Sequence, residues 1–543
     1  MKPSAVVAWS FAWALAAVAA GGAACTTAPP PPNHTSEAPP PRPTLRLFVL
    51  STLAGGLEPC GCTKTQLGGV DKLAAHLVAQ RAGAAKGMLV AAGPLWFVDT
   101  ALKPERKVQD GAKAEALADA LREMSLVAWA PGANDWAAGA DELERLAKRS
   151  GAKPLAANVR APALAASTLE TAGWLKVGIL GLSDPKTQLG KYPEGVTVSG
   201  DVLAAARREI ASLRQQGAHV LVALAALPRG EALRLADELP ELGVLVLGKP
   251  AAAGEINDHQ AEPMLVGSTL VVEAANHAQT VSVVDIYAVE GERAPLVLAD
   301  TGVARAVAIA NLARRENTLD ALIDSWERSL AVDPKDLAAR RQEQKALAAE
   351  RKALEAEVPA APAQSFFRYG FAEVKESMGR EPHVRERLVA YYKQVNEHNK
   401  TAFAGSAPPA VMPGEAGYLG VEACSSCHPG ARRVWDGTSH AKAYVTLQTE
   451  FKEYNLDCVS CHVTGYGRPG GSTVTVNDTL RGVQCEECHG PGSLHAAHPE
   501  KERLITRSPD LGRCASSCHH PPHVAEFDPK LMVDRILGPG HGK

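Results

Sequence analysis

Four cysteine–histidine units crowd the last quarter of the chain: CSSCH at 424–428, CVSCH at 458–462, CEECH at 485–489 and CASSCH at 514–519. They hold eight of its eleven cysteines. In C-x-x-C-H the two thiols add across the vinyl groups of one haem, and the adjoining histidine is placed beneath the iron. Zinc also takes Cys-x-x-Cys pairs, but it has no need of a histidine directly after the second cysteine each time. The units therefore read as sites for four haem c groups. Cys424, Cys427, Cys458, Cys461, Cys485, Cys488, Cys514 and Cys518 would make the covalent links, with His428, His462, His489 and His519 as proximal iron ligands. The fourth unit has one extra residue between its cysteines, a rarer spacing. Roughly 125 residues around four such groups cannot build an ordinary apolar core, so the macrocycles themselves must form it.

Six further histidines lie in this region, His440, His495, His498, His520, His523 and His541, against one methionine, Met532. That balance predicts mainly bis-histidine ligation and potentials below those of methionine-ligated cytochromes. The blocks YLGVEACSSCH, VWDGTSHAKAY, CVSCHVTGYGRPGG, VQCEECHGPGSLH and PPHVAEF…GPGHG resemble the cytochrome c-554 family of tetrahaem proteins. The resemblance implies a small domain of helices and loops and makes His440, in the W-x-x-T-x-H-A block, and His495, after CHGPG, the first distal ligands, with His523 and His541 next. CASSCH departs from the family pattern.

The other end of the chain reads as targeting. An apolar stretch from Ala5 to Ala24 ends at Cys25, and prolines 29–32 and 39–41 follow. This predicts a signal peptide over 1–25 and a stiff proline-rich tether over 26–43. Ala23-Ala24-Cys25 resembles the end of a bacterial lipobox, with Gly22 where leucine is usual, and makes Cys25 the expected lipidation site. Plain secretion and an uncleaved anchor are the alternatives, and all three export the protein. A bacterial periplasmic lipoprotein is the expectation. With 57 basic and 60 acidic residues, no nucleic-acid partner is signalled.

Residues 44–300 alternate strand-length apolar runs (Leu45–Ser51, Met88–Ala92, Leu126–Trp129, Leu175–Leu182, Val220–Leu227, Val244–Leu247, Leu265–Glu273, Val281–Ala288) with helical patterns (Val70–Arg81, Ala112–Met124, Asp141–Lys148, Val202–Gln216, Gly230–Leu239). The expected fold is an α/β sandwich with ligand-binding loops at the C-terminal ends of the strands. GGLEPCGCTKTQLGG (55–69), AAGPLWFVD (91–99), PGANDWAAG (131–139) and PLAANV (154–159) resemble the calcineurin-like metallophosphoesterases of the 5′-nucleotidase type. That family holds two metal ions through Asp-x-His, Gly-Asp, Gly-Asn-His-Asp/Glu and late histidines. Here the matching positions are Thr52 and Ala54, Pro94, Ala133 and Asn134, and Lys249 with Ala251. Two-metal hydrolysis needs ligands to hold its ions, so the resemblance implies a fold that is silent as a phosphatase. Cys60 and Cys62, on the first loop, read either as a redox or metal pair replacing the lost centre or as small residues shaping a turn.

Residues 301–410 read as a helical connector, with helices over Ala306–Leu330, Pro334–Val358 and His383–Asn399, and GSAPPAVMPGEAG (405–417) as a hinge before the haem region at 411–543. The whole is expected to be an electron carrier serving redox proteins or quinone-linked complexes, anchored to the membrane by lipid, with the α/β part as a docking module and no catalytic residue of its own. Two alternatives stand beside it: a multihaem oxidoreductase with one open iron acting on nitrogen or sulfur oxyanions, and a 5′-nucleotidase-type metallohydrolase.

Overall fold

The structure, a computed structural model, describes residues 42–59, 66–186, 192–249, 259–328, 332–357, 359–520 and 527–538. The leader, most of the tether, Cys25, Cys60, Cys62, His523 and His541 lie outside the described residues.

Two sheets stack face to face. The first runs Ala299–Asp300, Phe366–Glu373, Thr280–Tyr287, Leu45–Ser51, Gly87–Ala92, Leu126–Ala130, Lys153–Pro154. Its last four strands are parallel, and Thr280–Tyr287 is antiparallel to both its neighbours, Leu45 facing Ile286 in register. The second runs Met264–Val266, Thr269–Val272, Val244–Leu247, Val220–Ala226, Leu175–Ser183, Ser167–Ala172, parallel apart from its two edge strands.

Strand alternation divides the core. Along Leu45–Ser51, Leu45, Leu47 and Val49 point into the layer between the sheets, where they meet Val90, Ile179, Val222 and Val246. Phe48 and Leu50 point the other way, against α1 (Val70–Arg81), α2 (Lys107–Glu123) and α8 (Pro382–Ala402). On the outer face of the second sheet Leu221 and Ala223 meet α4 (Val202–Gln215) and α5 (Arg229–Glu238). The result is a helix–sheet–sheet–helix sandwich. Helix ends follow local chemistry: the Asp201 carboxylate accepts from the Ala204 amide at the start of α4, and α3 (Ala140–Ser150) stops at Gly151 with φ 72°.

Sequence and structure differ in several places. Strand Ser167–Ala172, at the edge of the second sheet, falls between two of the expected runs. The run Leu265–Glu273 is a hairpin of two strands, turned at Gly267 (φ 58°). The 301–410 stretch contains α6 (Val303–Arg328) and α7 (Pro334–Ala356), packed on each other around Leu312, Leu319, Ile323 and Leu347, but it also returns strand Phe366–Glu373 to the first sheet and lays α8 on α2. That stretch is therefore built into the sandwich as well as leading out of it. The strand escapes a reading by charge pattern because it follows a long charged helix and its place is set by pairing with Thr280–Tyr287, far upstream.

From residue 418 onward the chain has short helices and an isolated bridge, Val463 with Arg481. Its own apolar cluster is small, centred on Tyr444, Val459, Val463 and Val474. Among the described residues, no helix is long and apolar enough to cross a membrane.

Candidate functional site

In place of a core, the C-terminal region lines a cavity of about 2620 Å3, shared with residues of the preceding segments such as Glu58, Lys113, Leu322 and Tyr391. That is more than twice the upper end for a small-molecule pocket, roughly 1,000 Å3. Cys424, Cys427, His428, Cys458, Cys461, His462, Cys485, Cys488, His489, Cys518 and His519 all line it. Cys514 sits in the short helix Gly512–Ser517.

Each unit is fastened by its surroundings. The His428 amide donates to the Cys424 carbonyl, closing the turn that follows helix Val421–Ser425. His462 donates from Nδ1 to the Ala443 carbonyl at 2.6 Å, and His489 from Nδ1 to the Thr506 carbonyl at 2.6 Å. A backbone acceptor on Nδ1 fixes the proton on that nitrogen, the tautomer that metal-bound histidines commonly use. Burial pushes the His440 and His462 imidazoles below the ordinary histidine range, so both are held in the neutral, metal-binding form.

The imidazoles fall into facing pairs. His428 and His495 have ring centroids 6.5 Å apart at 30°, and His440 and His519 are 6.2 Å apart at 47°. Two metal–nitrogen bonds of about 2.0–2.1 Å plus the ring radii put two imidazoles about 6 Å apart across one metal. The W-x-x-T-x-H-A block explains how His440 is aimed. Trp435 Nε1 donates to the Val483 carbonyl at 2.8 Å, Thr438 accepts from the Ala441 amide at the start of helix Ser439–Thr449, and the Val483 amide donates to the His440 carbonyl. His519 also stacks on Phe527 at 4.1 Å. His520 lines the cavity, whereas His498 lies 3.6 Å from Glu500.

Thiols of different units adjoin. Cys485 hydrogen-bonds Cys424 and is brought down to about 7 by that bond; Cys461 hydrogen-bonds Cys518 and is brought down to about 6. The first unit thus lies beside the third, and the second beside the fourth. Lowered thiols carry more thiolate, the nucleophilic form.

Two residues that sequence reasoning did not single out hold this arrangement together. Glu486, the second residue of CEECH, is buried and accepts amide hydrogens from Leu419, Gly420 and Gly492. Gln484 accepts from the Val421 amide at 2.6 Å. The third unit therefore pins the start of the first. Only the polar identity of an x position inside C-x-x-C hinted at this.

The strand-end loops of the sandwich are closed on one another. Thr52 donates from Oγ1 to the Lys249 carbonyl at 2.9 Å and Ser51 from Oγ to the Leu247 carbonyl at 2.7 Å. A Cβ on Gly248 would lie 2.1 Å from the Ala92 carbonyl carbon, and one on Gly132 2.4 Å from Pro94 Cδ. Asn134 donates to the carbonyls of Phe97 and Val98, and Asp135 accepts amides of Leu95, Trp96 and Gly132. Burial lifts the Asp135 carboxyl to about 7 against those three bonds. Among the described residues no three His, Cys, Asp or Glu side chains form a metal-holding group.

Residues 423–490 match the sequence model of the family "cytochrome c554 and c-prime". The chain is 38% identical over 94 residues to cytochrome c-554 of Nitrosomonas europaea, an alignment covering 14% of this chain and 40% of the relative's length. Among solved structures, it is similar to a 5′-nucleotidase precursor from Thermus thermophilus (TM-score 0.43, 17% identity, 69% of this chain and 61% of that one). It is also similar to a sulfate thiohydrolase SoxB from Thermus thermophilus (TM-score 0.45, 14% identity, 72% and 69%). A third likeness is to the calcineurin-like phosphoesterase YfkN from Bacillus subtilis (TM-score 0.38, 17% identity, 46% and 88%).

Proposed function

We propose that this chain is an exported multihaem c-type cytochrome that carries electrons, with four haem c groups held in the 418–543 region and a sandwich silent as a phosphoesterase. The observation that carries the reading is the pairing of imidazoles at 6.2 and 6.5 Å across a cavity lined by seven of the eight motif cysteines and all four motif histidines. The donor set fits the group: paired thiols for the thioether links, imidazoles with Nδ1 tied to backbone carbonyls at His462 and His489, and a chamber large enough for several macrocycles. When bound, haem c supplies one-electron chemistry.

The residues divide the work. Cys424 with Cys427, Cys458 with Cys461, Cys485 with Cys488 and Cys514 with Cys518 tether. His428, His462, His489 and His519 would hold the iron of their own units, with His495 as a second imidazole for the first and His440 for the fourth. His523 and His541 are the proposed second imidazoles of the remaining two. Two imidazoles per iron would favour electron transfer over substrate binding. The chain contributes no general acid or base to such a step, which moves electrons and makes no bond. The proposed location is the bacterial periplasm, with Cys25 as lipid anchor, and the proposed partners are redox proteins or quinone-linked complexes.

The test is haem counting by mass and pyridine haemochrome, followed by electron paramagnetic resonance of the oxidised protein. Four haems with low-spin signals alone are expected. A high-spin signal that shifts on adding nitrite, hydroxylamine or sulfite would overturn the carrier reading in favour of a reductase.

A further inference from the structure

The second unit differs from the others in what leads into it. Residues Tyr454 to Asp457, immediately before Cys458, are fastened to the sandwich. Gln109 of α2, 1% exposed, accepts the Leu456 amide on Oε1 at 2.9 Å and donates from Nε2 to Asn455 Oδ1 at 3.2 Å. Asn399 of α8, also 1% exposed, donates to Gln109 Oε1 and to the Tyr454 carbonyl, both at 2.9 Å, and Asn396 accepts the Tyr454 amide at 3.0 Å. Asn455, 2% exposed, in turn caps the turn that carries Cys458 and Val459, whose amides donate to its carbonyl. Asp457 is then gripped by two cations of the sandwich, Arg106 and Lys113, with Lys113 Nζ 3.0 Å from Oδ2.

This is more than adhesion between neighbours. Fully buried amide side chains at a contact leave costly orphans if the partner shifts, so they fix register as well as affinity. The fixed residues are the ones whose position sets where Cys458 and His462 stand. Lys113 and Asp457 also line the same cavity as Cys458. With Lys113 19% and Asp457 32% exposed, both charges are partly sheltered from solvent, so each acts on its surroundings more strongly than a free surface charge.

We infer that the sandwich is a working part of the cytochrome: α2, through Gln109 and Lys113, positions the second haem-binding peptide and supplies the cation that tunes the group attached to it. This rests on the reading of residues 458–462 as a haem site. Lys113 and Gln109 are positioning residues; neither is offered as an iron ligand.

Reduction adds one electron at the site, so a nearby cation favours the reduced form and a nearby carboxylate the oxidised form. In full-length, haem-loaded protein, Lys113→Gln should lower one of the four midpoint potentials and Asp457→Asn should raise the same one, as read by spectroelectrochemical titration. Lys113→Arg should restore the wild-type value. Mass and haemochrome analysis of each variant fixes the haem count. A wild-type protein with no haem on the 458–462 peptide would sink the functional reading itself. A full complement of haem with no shift, shifts of the same sign, or shifts spread over all four potentials would overturn this inference and leave that reading standing. Should Asp457→Asn fail to load, Lys113→Gln with its Arg rescue carries the test alone, because a packing role gives no signed, charge-dependent displacement.

Discussion

His440 shows how much a single side chain is prepared before any ligand arrives. Its helix is capped by Thr438, its carbonyl is tied to Val483, its half-buried ring is pushed toward the neutral form, and it lies opposite His519 at 6.2 Å. Replacing it with alanine should uncap one site, so the oxidised His440→Ala variant is expected to show a high-spin signal in electron paramagnetic resonance that the parent lacks. The cysteines and histidines of this site were legible in the sequence because their chemistry is rare and their spacing short. Glu486, Gln484 and Gln109 were not. Each acts on a residue at least 60 positions away for at least one of its bonds, and an isolated glutamine or glutamate carries no mark of the partner it will meet.

Elements tell a similar story with a different cause. The helices over 70–81, 202–215 and 334–356 and the central strands were legible because one periodicity ran uninterrupted across each. Strand Phe366–Glu373 was not, since its place is set by pairing with Thr280–Tyr287 far upstream. Where strand Val244–Leu247 ends, Gly248 presses on the backbone at Ala92, and Gly248→Ala should cost about 1–3 kcal/mol by overpacking, visible as a lower Tm in thermal denaturation. The contact between α2 and the haem region should also be acid-sensitive. Burial alone would raise Asp457 and Glu58, but Lys113 and Arg106 for the first, and Lys452 and Arg385 for the second, outweigh it and hold both carboxyls below their ordinary values. Such groups contribute fully above their unfolded values, about 3.9 for Asp and 4.3 for Glu, and lose that contribution as pH falls through the folded ones. Thermal stability should therefore decline below about pH 4. Asp457→Asn should flatten that decline while costing about 1.5–3 kcal/mol at neutral pH.

At the scale of the molecule, the 404–416 segment is a mostly exposed loop with no helix or strand, but the two sides it joins are bound to each other by Glu58, Gln109, Lys113 and Asn399. A protease nick in that loop should leave both pieces eluting together from a sizing column at neutral pH, with the association weakening progressively as the pH falls below about 4. With the strand-end loops closed on themselves, added manganese or zinc should bring no release of phosphate from 5′-nucleotides above background, and measurable turnover would reopen the hydrolase alternative.

The crossed pairing of histidines has a bearing on how the protein is made. A chain is synthesised from its N-terminus, so the first unit exists before His495, its facing partner, has been added, while His440 is already in place when His519 follows. The earliest site is thus completed by a late residue and the last site by an early one. Closure of the chamber is thereby postponed until nearly the whole region has been synthesised, which keeps the motif cysteines accessible until then.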